Sequence, residues 1–231
     1  MKAKLLFSII FFISSLFLIF SLTQNLEKKE IKYFALGDSY TIGTGTTLQN
    51  SWPHLLTNKL NEVGIKTSLV GNPARNGYST DDLINYELPI LAKTDIDFVT
   101  LLIGVNDWVR NVDKKTFQTN YEKIIVEVQK KLGASKNKII LVTIPDFGLT
   151  PQGKQYANGR DISSGLEEFN SIIKQSAQKY SLSLVDIFPC SKKVSSDPSL
   201  IAADSLHPSA KQYAQWANLI FPMAKKINSQ N

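Results

Sequence analysis

Five short apolar runs, each separated from the next by a longer stretch of helical periodicity, constrain this chain to one kind of architecture. The runs are residues 31–36, 67–70, 98–103, 138–143 and 182–186. They are rich in Ile, Leu, Val and Phe, lack strict alternation and are bounded by Gly, Pro or Asn, as strands buried on both faces should be. The intervening patterns predict helices over 52–63, 80–91, 116–132 and 162–179, with a last one over 209–227. In the fourth, Leu166, Phe169, Ile172, Ile173 and Ala177 recur at helical spacing. Strand–helix alternation of this kind predicts an α/β fold, a three-layer α/β/α sandwich around a parallel sheet of about five strands.

The first 25 residues are set apart. Lys2 and Lys4 precede an uncharged apolar run over residues 5–22. Positive charge ahead of such a run marks an export signal, either cleaved or retained as a membrane anchor. Residues 26–231 then form the single expected domain, placed outside the cytoplasm. A lone cysteine, Cys190, excludes an intrachain disulfide and a cysteine-based metal cage. Two histidines, His54 and His207, argue against a multi-histidine metal site, so no metal or organic cofactor is expected. The formal charge of +6 includes Lys2 and Lys4; the remaining lysines are scattered and arginines are few, which reads as a solvated surface and not a nucleic-acid interface.

The chemistry-bearing residues fall at the ends of the predicted strands. The first strand stops in Gly37-Asp38-Ser39. In a doubly wound sheet of order 2-1-3-4-5 the first strand is flanked by the second and third, and ligands bind beyond the strand C-termini. The loops carrying Ser39, Asn76-Gly77 and Gly104-Val105-Asn106-Asp107 would then lie side by side. Together they supply a hydroxyl, a glycine N–H and an asparagine amide, the parts of an acyl-transfer site. The base comes from Asp204-Ser205-Leu206-His207, where an i, i+3 spacing lets the carboxylate reach the imidazole of its own turn. A carboxylate on Nδ1–H leaves Nε2 free to take a serine proton.

With those four blocks in order, the chain resembles the SGNH/GDSL hydrolase superfamily over nearly all of the expected domain. Tyr40 stands where the family's nucleophile block usually has Leu. The resemblance implies a flavodoxin-like hydrolase fold and a serine esterase with Ser39 as nucleophile, His207 as base and Asp204 orienting it. It further implies an oxyanion hole made by the N–H groups of Ser39 and Gly77 and the amide of Asn106. The implied substrates are esters of small molecules, lipids or glycans; acyl transfer to a cell-surface glycan and a non-catalytic glycan-binding module are the alternatives. Attachment to a membrane through residues 5–22 is a further expectation, and the oligomeric state is not legible.

Other residues at the same sheet edge read more plainly. Asp38 and Asp107 are expected to bond loop N–H groups. Asp204 is also placed to cap the last helix. His54, in the first turn of an amphipathic helix, is expected to pack. Tyr40 and Trp108 are aromatic residues near the crevice, candidate pocket walls for which packing is the commoner role; Phe147 is another candidate pocket wall. Residues 145–164 form a long connection containing Gly and Pro, of the kind that is commonly functional. Gly43-Thr44-Gly45 lacks the third glycine of a dinucleotide fingerprint.

Overall fold

A computed structural model of the protein describes residues 29–229. The apolar run at residues 5–22 lies outside the described residues. Five strands, β1 (Ile31–Gly37), β2 (Thr67–Gly71), β3 (Phe98–Leu102), β4 (Ile139–Val142) and β5 (Ser183–Val185), form one sheet. Its order is β2-β1-β3-β4-β5 and every pairing is parallel. All five expected strands are present, within one or two residues of their expected ends.

The central strands are apolar throughout because both of their faces are covered. In β1, Tyr33, Phe34, Ala35 and Leu36 are fully buried; so are Phe98 and Val99 in β3. Tyr33 stacks on Phe98 and spends its hydroxyl on Thr100 Oγ1 at 2.7 Å, so the polar tip inside the core is satisfied.

The helices are α1 (Ser39–Ile42), α2 (Trp52–Glu62), α3 (Thr80–Asp82), α4 (Leu88–Lys93), α5 (Val105–Val109), α6 (Lys114–Leu132), α7 (Ile162–Lys179), α8 (Phe188–Ser191) and α9 (Ala210–Asn228). Right-handed crossovers on a sheet of this order put α2 on one face and α4, α6 and α7 on the other. The packing agrees: α9 returns against α2, while α6 lies between α4 and α7. Trp52 of α2 and Trp216 of α9 are fully buried on their face. Truncating either to Ala should cost about 3–5 kcal/mol.

Helix starts follow local chemistry. Asp113 and Asp161 cap α6 and α7 by accepting N–H groups of the first turn, and Ser79 with Asp82 forms a reciprocal capping box at α3. Two departures from expectation matter. Residues 80–91 are not one uniform helix: a π-helical turn, Leu83–Glu87, separates α3 from α4. Pro89 explains it, because its ring crowds the carbonyl one turn back and it has no N–H to offer. Nor does Asp204 cap the last helix. Ser209 occupies that position, and its hydroxyl bonds Ser199 O at 2.7 Å instead.

Candidate active site

Ser39 is the first residue of α1, delivered by a sharp turn at the C-terminal end of β1. Asp38 caps that turn, its Oδ1 accepting the Tyr40 N–H at 3.0 Å. A Cβ on Gly37 would fall on the Thr41 side chain and the Leu102 carbonyl oxygen, so only glycine permits this approach to β3. The Gly37 N–H has a side chain, not a strand, as acceptor: Glu87 Oε2 at 3.1 Å. The Ser39 carbonyl accepts from Gly43 N at 3.1 Å and Thr44 N at 2.9 Å. Among the described residues the Ser39 N–H has no acceptor.

Asp38 is fully buried and its Oδ2 has no hydrogen-bond partner among the described residues. Burial pushes its carboxyl up to about 8; the Tyr40 N–H opposes that shift and the neighbouring Asp107 adds to it. The expected role of Asp38 in bonding loop N–H groups therefore holds for one oxygen only.

Gly77 has φ +81°, in the left-handed region, and a Cβ there would meet nothing within 4 Å. Glycine is needed for the backbone angle and not for space. The loops after β2 and β3 are stitched together around it. Asn106 Nδ2 donates one hydrogen to Tyr78 O at 2.9 Å, which leaves the second amide hydrogen free to point elsewhere. Arg110 donates to Gly77 O at 2.7 Å, Ser79 Oγ at 3.1 Å and Asp82 Oδ2 at 2.8 Å. Asp107, buried, accepts the Thr80 N–H at 2.8 Å and the Thr80 hydroxyl, as its structural reading predicts. Arg110 was not picked out by sequence. Its signal is weak: one of three arginines, one helical turn after Asn106.

His207 and Asp204 meet as their spacing predicts, with His207 Nδ1 2.6 Å from Asp204 Oδ2. Asp204 Oδ1 also accepts the N–H groups of Leu206 (3.0 Å) and His207 (2.9 Å). Partial burial works to raise this carboxyl, but those two N–H groups and the imidazole outweigh it and hold it below its ordinary value. The turn is anchored behind: Ala202 N donates to His207 O at 2.8 Å, and Ser205 takes a left-handed φ of 61°.

Two long-range features press this turn against the nucleophile loop. Gly45, at φ +92°, lies so close that a Cβ would sit 2.7 Å from Ala202 Cβ and 3.1 Å from His207 Cβ. Tyr213 of α9 donates its hydroxyl hydrogen to Thr44 O at 2.9 Å. Neither contact carries a local sequence signal.

All five candidate residues except Asp204 line one cavity of about 310 Å³: Ser39, Gly77, Asn106 and His207, with Asp204 behind the imidazole. The apolar part of the wall includes Tyr40, Val109, Phe147 and Tyr156. Phe147 and Tyr156 come from the long connection after β4, which accounts for its length. Trp108 takes the packing role: it does not line this cavity but lies against Gly165, edge-on to Phe147 and under the Arg160 guanidinium, 3.9 Å from the ring centre. His54 is likewise off the cavity and packs in the first turn of α2 near Ser51. The arrangement brings a hydroxyl, an imidazole oriented by a carboxylate and uncommitted N–H donors to one apolar crevice. That is equipment for nucleophilic attack on a carbonyl.

Known proteins are similar to this chain in sequence and in fold. An arylesterase of Vibrio mimicus is 27% identical over 194 residues, 84% of this chain and 88% of the relative. A lipase/acylhydrolase structure from Enterococcus faecalis superposes with a TM-score of 0.67 at 23% identity, covering 85% of this chain and 96% of that one. An acetylxylan esterase structure from Geobacillus stearothermophilus gives 0.67 at 20% identity, covering 84% and 94%. The sequence model of the GDSL-like lipase/acylhydrolase family matches residues 35–215. The chain belongs to the GDSL-like lipase/acylhydrolase family and is an ester-hydrolysing enzyme.

Proposed function

We propose that Ser39 attacks the ester carbonyl while His207 Nε2 takes its proton, Asp204 holding the imidazole and stabilising its cation. The tetrahedral oxyanion is held by the Ser39 and Gly77 N–H groups and the second amide hydrogen of Asn106. His207 returns the proton to the leaving alcohol, and water then releases the acyl group from Ser39 by the same route. The observation that carries this reading is the 2.6 Å Asp204–His207 pair on the same cavity as Ser39. The Ser39 and Gly77 N–H groups, which have no acceptor among the described residues, support the oxyanion assignment.

The cavity of about 310 Å³ is at the small end of ligand sites, which run about 300–1,000 Å³. With its apolar wall, it suits a compact acyl group. The substrate we favour is an ester of a short acyl group, on a small alcohol or a glycan, met outside the cytoplasm by an enzyme exported through residues 5–22.

Fluorophosphonate labelling followed by intact mass tests the mechanism. One adduct on the wild type, absent from Ser39→Ala and His207→Ala, is expected. No adduct on the folded wild type removes the nucleophile. Acceptor competition then separates hydrolysis from transfer: product that partitions to an added sugar, and not to water, would identify a transferase.

A further inference from the structure

Glu87 has no part in the mechanism above, yet it is fully buried against the turn that carries Ser39. Its place there needs explaining, since a carboxyl group is expensive to bury. The π-helical turn Leu83–Glu87 is what puts it there. Leu88 N bonds Leu83 O, five residues back, and the helix face shifts by one residue. Leu83 and Glu87 then point inward, while Tyr86 beside them is 57% exposed.

What Glu87 meets inside is the Gly37 N–H. The β1–β2 pairing ends at Phe34 opposite Gly71, after an irregularity in register. On the other edge β3 runs on beside β1 as far as Gly37. Past the end of β2, Gly37 has lost its neighbour on that side, and a buried N–H without an acceptor is costly. Glu87 Oε2 supplies the acceptor at 3.1 Å.

We infer that Glu87 is a positioning residue for the nucleophile: its carboxyl replaces the missing strand partner of Gly37 and so fixes the turn that presents Ser39. This rests on the reading of Ser39 as nucleophile. The carboxyl acts in its neutral form. Burial pushes its pKa well above the usual range, and the Gly37 N–H only partly opposes the shift. Glu87 Oε1 has no partner among the described residues, so no cation balances a charge there. A neutral carboxylic acid and a glutamine amide have the same shape and the same carbonyl acceptor. Conservative rescue is therefore a sharp test.

The full-length enzyme and its Glu87→Gln and Glu87→Leu variants are compared for thermal midpoint, for kcat and KM on a short-chain ester, and for the rate of fluorophosphonate labelling. Glu87→Gln is expected to stay within about threefold of wild type in kcat and labelling rate, while Glu87→Leu, folded, loses about ten- to a hundredfold in both with KM little changed. A purely structural role would move the thermal midpoint of Glu87→Leu and leave labelling of its folded fraction at the wild-type rate; that result overturns the inference. So does a glutamine variant as slow as the leucine one. If Glu87→Leu does not fold, Glu87→Met takes its place. The wild type gives an independent reading by NMR, as a coupling across the hydrogen bond between the Gly37 nitrogen and the Glu87 carboxyl carbon. Its absence overturns the inference. Failure of the wild type to label at all is a different outcome: it removes the nucleophile reading and this inference with it.

Discussion

Tyr213 and Thr44, 169 residues apart in sequence, are joined by a 2.9 Å hydrogen bond from the phenol to the backbone carbonyl. Thr44 N in turn donates to the carbonyl of Ser39. A helix that begins just after His207 is thereby tied to the loop that begins at Ser39. The turn bearing the base and the turn bearing the nucleophile come from opposite ends of the domain, and this bond ties together the elements that follow them.

Tyr213→Phe tests that tie. The ring keeps its edge contact with Trp216 at 5.3 Å, and only the hydroxyl is lost. Stability should fall by about 1 kcal/mol. Turnover should fall about three- to tenfold as the two loops lose register. Urea unfolding and ester hydrolysis on the same preparation separate the two effects.

Gly45→Ala should be worse for activity than for folding. It meets both a positive φ and a crowded neighbour, Ala202 Cβ at 2.7 Å, on the turn that holds His207. The backbone angle alone should cost about 1–2 kcal/mol. Gly64→Ala is the control: φ is +76° and a Cβ there meets nothing within 4 Å. Destabilisation by the backbone angle in both variants, larger in Gly45→Ala because of the added clash, with turnover lost only in Gly45→Ala, is the expected pattern. Equal turnover would show that the close approach does not position the base.

Asn106→Ala should lower kcat by about a hundred- to a thousandfold with little change in KM, the usual cost of one oxyanion donor. Its bond to Tyr78 O at 2.9 Å is lost too, so the thermal midpoint is measured alongside. A rate near wild type would remove Asn106 from the oxyanion site.

Tyr156 closes the cavity beside Phe147, with ring centres 6.1 Å apart. Tyr156→Ala should lengthen the preferred acyl chain, read as a shift in the kcat/KM optimum across a series of nitrophenyl esters. An unchanged optimum would place the acyl chain elsewhere.

The buried Asp38 makes stability depend on pH in an unusual direction. Its folded pKa, about 8, lies above the ordinary carboxylate value of 3.8. Folding therefore takes up a proton between about pH 4 and about pH 8, and stability falls as pH rises through that window. Asp204 works the other way: held low when folded, it contributes stability above the ordinary carboxylate pKa that is lost in acid. Asp38→Asn should flatten the decline in urea midpoint between pH 5 and pH 8. A midpoint as steeply dependent on pH as in the wild type would exclude Asp38 as its source.

Some parts of this molecule are determined within a few residues of chain. The apolar run 31–36 becomes β1 because it is too hydrophobic to have an exposed face. Helix α7 starts at Ile162, as its periodicity predicts, with Asp161 before it as cap. Asp204 and His207 meet because three residues of turn suffice to bring a carboxylate onto an imidazole. The alternation of elements points to a doubly wound parallel sheet, and the observed order β2-β1-β3-β4-β5 brings the loops of Ser39, Gly77 and Asn106 together. Periodicity reports which face of a helix is buried, however, and not what stands opposite it. Trp108 reads from sequence either as packing or as pocket wall, and only its neighbours Arg160, Gly165 and Phe147 decide for packing. Asp204 looked like a helix cap, but its own turn claims both of its oxygens. Glu87 fell inside an ordinary amphipathic pattern, and only the π turn before Pro89 aims it at Gly37. Local chemistry, acting over one turn or one strand, was readable from sequence. Pairings such as Glu87 with Gly37 or Tyr213 with Thr44 were decided by the tertiary fold, because a hydrogen bond needs its partners within about 3 Å and only the packed layers set that distance.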